Sequence, residues 1–197
     1  MKVNSEVVEI NKGKVVLAGS SASGKTSLSL RIQNQKFDTN LQATIQTMYS
    51  QIQHKIQNYN VQFGLWDTAG QEKYLSITAM YLRSADIALL VFDQNSPSSF
   101  EQIPYWIEQF RAKSNKETLF FLIQNKIDLE SRIQQSEVEQ LAFSYDMKLF
   151  KVSAKTGQGV EALLDSITLQ LATTNCNEEQ KTIVMQNYKQ PGKQCCK

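Results

Sequence analysis

The chain has 197 residues, 41% of them hydrophobic, with a net charge of +2, which allows one buried core and excludes global disorder. The basic excess lies in residues 173–197, where four lysines face two acids, so residues 1–172 are neutral; this argues against nucleic acid as the main partner and suits an anionic membrane surface near the C-terminus. No signal-peptide core follows Met1 and no run nears the roughly 20 apolar residues of a membrane span, so synthesis in the cytosol is expected.

Residues 1–11 read as an N-terminal extension. Lys14-Val15-Val16-Leu17-Ala18 is a short apolar strand that runs into a glycine loop and then the helical Ser27-Leu28-Ser29-Leu30-Arg31-Ile32. Residues 48–56 and 61–66 predict two strands joined by a turn at 57–60, an antiparallel hairpin, with Gly64 weakening the second strand for no reason visible in the sequence. The runs at 87–92 and 119–123 are continuously apolar, as parallel strands covered on both faces are. Between them a helix over 100–113 places Phe100, Ile103, Ile107 and Phe110 on one stripe, with Pro97 suited to its first turn. A helix at 134–144, a strand at 148–152 and a helix at 160–172 follow. The elements sum to an α/β domain over 12–172, a six-stranded, mostly parallel sheet with one antiparallel strand and helices on both faces. After Ala172 the apolar period stops, Pro191-Gly192 intervenes, and residues 173–197 read as a flexible tail.

Gly19-Ser20-Ser21-Ala22-Ser23-Gly24-Lys25-Thr26 has the spacing of a phosphate loop, between a strand and a helix as such a loop requires. Its backbone N–H groups converge on phosphate oxygens, helped by the positive end of the helix. Lys25 is placed for the β- and γ-phosphates, the Thr26 hydroxyl for Mg²⁺, and Ser27 counts with the loop as nucleotide-binding. Alone, the motif serves GTPases, ATPases and small-molecule kinases alike. Asn125-Lys126-Ile127-Asp128 follows the 119–123 strand, and ligands of such sheets bind at the carboxyl ends of strands. A carboxylate at Asp128 accepts from guanine N1–H and the exocyclic amine, a donor pair that adenine lacks. Asn125 faces the N7/O6 side and braces the loop, and the Lys126 stem covers one face of the base. Ser153-Ala154-Lys155 supplies a second base-facing segment, with the Ala154 N–H for guanine O6 and Lys155 for the other face. Asp67 is placed to hold Mg²⁺ through water, the Gly70 N–H to sense the γ-phosphate, and Gln71 to orient the attacking water as the catalytic residue. Thr44, in the polar stretch before the hairpin, is the candidate to close over Mg²⁺ and γ-phosphate.

With these residues in place the chain resembles the Rab group of Ras-superfamily small GTPases, from about residue 12 to 172 and again at its C-terminal end. Trp66-Asp67-Thr68-Ala69-Gly70-Gln71-Glu72-Lys73-Tyr74 is close to the Rab pattern around the second switch. The resemblance implies a phosphate-loop small G domain, GTP/GDP and Mg²⁺ as ligands, and switches around 41–48 and 69–83. It implies that Phe37 packs against the guanine and that Tyr49, Trp66 and Tyr81 form the aromatic surface for partners. Those partners are exchange factor, GTPase-activating protein, escort protein or GDP-dissociation inhibitor, and effectors, met by a monomer. Gln46 and Ser84 stand where glycine is usual, and Ser20 where an acid is common. Ala22 is shared with the endocytic, early-endosome Rabs, towards which the reading leans. Adjacent Cys195 and Cys196 resemble the doubly geranylgeranylated Rab terminus, two lipids being needed for stable anchoring to the cytoplasmic face of a membrane. Cys176 and the lone His54 are given no role. No arginine is an evident in-cis finger, so hydrolysis is expected to be slow without an activator. The competing readings are a phosphotransferase on the same loop, for which no basic lid is visible, and a nucleotide-locked scaffold, which intact Lys25, Thr26, Asp67 and Gln71 oppose. The interval from Asp128 to Ser153 has no room for the extra Rho helix.

Overall fold

The computed structural model describes residues 7–10, 12–34, 48–68 and 80–187. Strands β1 (Val8–Ile10), β2 (Lys14–Ala18), β3 (Met48–Ile56), β4 (Tyr59–Asp67), β5 (Ile87–Asp93), β6 (Leu119–Asn125) and β7 (Lys148–Lys151) form one sheet. The helices are α1 (Lys25–Asn34), α2 (Pro97–Glu101), α3 (Ile103–Lys113), α4 (Gln135–Ser144) and α5 (Val160–Asn187). Parallel pairing runs β4-β2-β5-β6-β7, and β3 pairs antiparallel with β4 along its whole length. The α/β expectation with one antiparallel strand therefore holds.

Alternation along the strands sorts the core into two layers, because successive side chains point to opposite faces. Val15, Leu17, Leu65, Leu89, Val91, Phe121 and Ile123 pack with Leu28 and Ile32 of α1 and Leu163, Ile167 and Leu171 of α5. Val16, Ala18, Ala88, Leu90, Phe92 and Leu122 face Ile103, Trp106, Ile107 and Phe110 of α3 and Val138 and Ala142 of α4. Both faces are thus covered, which is why β2, β5 and β6 read as unbroken apolar runs.

Four details depart from expectation. Among the described residues the sheet has seven strands rather than six, since β1, drawn from the expected N-terminal extension, lies end to end with β2 along the same edge of β4. β2 spans only Gly64 to Asp67 of β4; Val8, Glu9 and Ile10 pair with Tyr59, Asn60 and Val61, and Ile10 enters the core. The hairpin turn is tighter than expected, only Gln57 and Asn58 separating β3 from β4, with Gln57 at φ 52°. The expected 100–113 helix is two helices broken at Gln102, whose N–H closes on the Phe100 carbonyl. Pro104 is the cause: lacking an N–H, it fits the first turn of α3 but not the interior of one long helix. Finally, α5 continues past Ala172 to Asn187, since residues 173–187 contain no proline or glycine to stop it even though the apolar stripe has ended.

Candidate nucleotide site

The parallel sheet brings the 19–26 loop, Asp67, Gln94, Asn125 and the 152–155 segment to one edge, because each lies at or just past the carboxyl end of a strand. Two glycines set how closely they meet. Gly19 has φ 142°, and a Cβ there would stand 2.1 Å from the Val91 carbonyl oxygen of β5. Gly24 has φ 92°, and a Cβ there would stand 2.3 Å from Asn125 Nδ2. The loop can therefore lie against β5 and β6 only with hydrogen at both positions. Ala22 holds a left-handed φ of 61° without that freedom.

Asn125 is fully buried and joins three segments: its Nδ2 donates to the Ser23 carbonyl at 2.9 Å and its Oδ1 accepts the Ala154 N–H at 3.2 Å. The Ala154 N–H, expected to face guanine O6, points at Asn125 Oδ1. Asp128 Oδ1 accepts the Ser153 hydroxyl at 2.6 Å, with Lys155 Nζ 3.7 Å from its other oxygen. The Ser153 bond, aided by Lys155, holds the Asp128 carboxyl below its ordinary range, so it is an anion ready to accept. Ser153 Oγ also accepts the Thr156 N–H at 3.1 Å, so it orients Asp128 from within its own turn. Lys126 adopts φ 62°, and its Nζ pairs with Asp93 Oδ2 at 2.7 Å.

At the phosphate end, Lys25 is 5% exposed and its Nζ donates to the Gly19 carbonyl at 3.0 Å and the Ser20 carbonyl at 2.7 Å. Burial pushes its pKa down to about 8, against the pull of Asp67. Asp67 is 1% exposed, and neither carboxylate oxygen has a hydrogen-bond partner of normal geometry among the described residues. Burial raises its pKa; the Thr26 hydroxyl and Lys25 act the other way. A buried carboxylate left unsatisfied beside a threonine hydroxyl fits a hard, oxygen-seeking divalent cation held by Thr26 and Asp67.

Matching the sequence to protein families returns the Ras family over residues 14–173. The chain belongs to the Ras family. Several of its relatives carry Rab names. "Ras-related protein RABA4b" of Arabidopsis thaliana is 34% identical over 163 residues, 82% of this chain and 73% of that one. "GTP-binding protein ypt5" of Schizosaccharomyces pombe is 35% identical over 169 residues, 84% of this chain and 80% of that one. "Ras-related protein Rab-21" of Mus musculus is 34% identical over 171 residues, 85% of this chain and 77% of that one. The protein is thus a Rab-type small GTPase that binds GTP and GDP and hydrolyses GTP.

Of the residues the sequence singles out for this Ras-family member, Phe37, Thr44, Gln46, Gly70, Gln71, Cys195 and Cys196 lie outside the described residues. The 19–26 loop, Asp67, Asn125, Lys126, Asp128 and the 153–155 segment come together as above, with Ser27 half-buried on α1. The sequence did not point to Arg31. From the last turn of α1 its Nε donates to the Ala154 carbonyl at 2.7 Å and its Nη2 to the Lys155 carbonyl at 2.6 Å, fixing the second base-facing segment. Ser20 Oγ donates to Gln102 Oε1 at 2.9 Å, tying the phosphate loop to the break between α2 and α3.

On the face where the resemblance expects partners, the Tyr49 and Trp66 rings meet at 4.8 Å between centroids, tilted by 57°, and Lys14 Nζ lies 5.2 Å from the Trp66 ring centroid. Tyr81 is half-buried. Gly64 now has its reason: a Cβ there would stand 2.3 Å from Trp66 Cζ3, so the indole folds flat across the strand only over a glycine. Ser84, at φ 61°, takes a conformation that favours glycine, and its Oγ donates to Asn115 Oδ1 at 2.8 Å. Among the described residues no helix is long and apolar enough to cross a membrane.

Proposed function

We propose that this chain is a GTP/GDP switch of vesicle trafficking, with the phosphates over the 19–26 loop and the guanine between Lys126 and Lys155. The observation that carries it is the buried Asn125 amide, which makes the phosphate loop and both base-facing segments one construction. Asp128 accepts from guanine N1–H and the exocyclic amine, and the Lys25 ammonium meets the β- and γ-phosphates. Thr26 and Asp67 hold Mg²⁺, which when bound neutralises charge building on the phosphate oxygens. Gln71 orients the attacking water, and Thr44 and Gly70 close on the γ-phosphate and let go after hydrolysis. The intrinsic rate is slow, on the order of 10⁻⁴ s⁻¹ as for Ras, and an activator supplies about 10⁵-fold. Exchange factor, activator, escort protein and effectors meet the switches and the Tyr49–Trp66–Tyr81 face. Geranylgeranyl groups on Cys195 and Cys196 hold the protein to an intracellular membrane, and Ala22 favours the endocytic route.

Displacement of a fluorescent GDP tests the nucleotide reading: GTP and GDP compete, ATP does not, and chelating Mg²⁺ speeds release. Equal competition by ATP would replace the switch with the phosphotransferase reading. Single-turnover hydrolysis falls in Gln71→Leu. In cells, Cys195→Ser/Cys196→Ser becomes soluble, and a variant that stays on the membrane would remove the lipid anchor from the proposal.

A further inference from the structure

Gln94 stands directly after β5 and is 5% exposed. All four of its polar groups engage the segment that carries the base reader. Its N–H donates to the Asn125 carbonyl at 3.1 Å, and its carbonyl accepts the Arg132 N–H at 2.9 Å. Its Oε1 accepts from Gln124 Nε2 at 3.0 Å, and its own Nε2 donates to the Leu129 carbonyl. The residues on either side reach the same loop: Asp93 Oδ2 to Lys126 Nζ at 2.7 Å, and Asn95 Nδ2 to the Glu130 carbonyl at 3.0 Å.

The direction of this chain is fixed by chemistry. The Leu129 carbonyl can only accept, so the Gln94 amide must turn its NH₂ that way and its oxygen towards Gln124, which must then donate. The second oxygen of the pair, Gln124 Oε1, is buried with no partner. A pair of buried amides with one group unsatisfied is a poor way to fill a core, where two apolar side chains would serve. Its distinctive product is a fixed position for the peptide after Asp128, whose carboxylate accepts the Ser153 hydroxyl.

We infer that Gln94, oriented by Gln124, is a positioning residue for guanine specificity: it sets Asp128 where it reads the exocyclic amine. Gln94 itself does not touch the nucleotide. The inference rests on the reading of Asp128 as the guanine acceptor.

The test compares the affinities of the full chain for GDP and for IDP, which lacks only the exocyclic amine. Gln94→Glu keeps the shape and replaces the donor with an oxygen facing the Leu129 carbonyl; Gln94→Met keeps the length and no polar atom. Both are expected to lower the GDP:IDP affinity ratio by about tenfold, the worth of one hydrogen bond to a charged group. Gln124→Met, which leaves the Leu129 bond in place, is expected to lower it less. A GDP:IDP ratio unchanged in the Gln94 variants overturns the inference, even where both affinities fall together, because that is the mark of a general brace. Asp128→Ala is the control. If it too leaves the ratio unchanged, the base reading fails; if it abolishes the ratio while the Gln94 variants do not, only the positioning role fails.

Discussion

Asn125→Ala removes one side chain and severs three segments from one another. The Ser23 carbonyl loses its donor and the Ala154 N–H its acceptor, and neither regains water, since Ser23 and Ala154 are 0% and 3% exposed. A buried polar group left unpaired costs about 1–3 kcal/mol. The two orphans share one relaxing site, so their sum falls short of additivity, at about 2–4 kcal/mol. Because the site exists only while the segments are joined, that loss emerges mainly as faster nucleotide release, by a factor of about 30 to 1,000. The assay is release of a fluorescent GDP into excess unlabelled GDP at fixed Mg²⁺. Asn125→Asp divides the two bonds: it keeps an acceptor for Ala154 but turns an oxygen on the Ser23 carbonyl, and it is expected to release no more slowly than the alanine variant. Release from Asn125→Ala within about threefold of wild type would refute the bridge as the device joining phosphate and base ends. Wild-type release from Asn125→Asp would refute the Ser23 half of it.

Lys25, with a pKa near 8, must be protonated to meet phosphate. GDP affinity is therefore expected to fall as pH rises above about 8, and Lys25→Met should flatten that profile at a lower affinity. The nucleotide-free protein should behave oppositely between about pH 8 and 10.5, gaining stability as pH rises, because there the unfolded chain holds a proton the folded one has shed. Asp67 has a raised pKa, so its ionised form burdens the folded state once pH exceeds the ordinary carboxylate value. Asp67→Asn should then melt a few degrees higher than wild type without Mg²⁺, while its GDP release loses sensitivity to chelator. Relief of backbone strain separates two glycine substitutions. Ala22→Gly should raise the melting point by roughly 2–4 °C, whereas Ser84→Gly should change it little, because the strain relieved is offset by the lost bond to Asn115.

The parts legible in the sequence are those whose meaning lies in consecutive residues. The 19–26 loop and the Asn125–Asp128 reader each carry their chemistry in a fixed local spacing, and the strands before them declare where they sit. Pro104 was equally local, and it marks the break between α2 and α3 for any reader who gives proline more weight than the Phe100–Ile103–Ile107–Phe110 stripe. The parts that were not legible depend on distance through space. Nothing near Arg31 in the chain tells of the Ala154 and Lys155 carbonyls, 123 and 124 residues on. Gln94 and Gln124 look like two more glutamines in a glutamine-rich chain until β5 and β6 lie side by side. Gly64 acquires a purpose only when the Trp66 ring lies across it. β1 escaped because three residues are too few to establish an alternation.

Helix α1 begins at Lys25 and carries Arg31 in its last turn, so one rod of ten residues, about 15 Å long, joins the 19–26 loop to the Ala154 and Lys155 carbonyls. A rod transmits what is done to either end. On the proposed reading of the site, a tilt of α1 at the phosphate loop would be felt through Arg31 at the Ala154 and Lys155 carbonyls as well. The two ends of the candidate site thus share one rigid element.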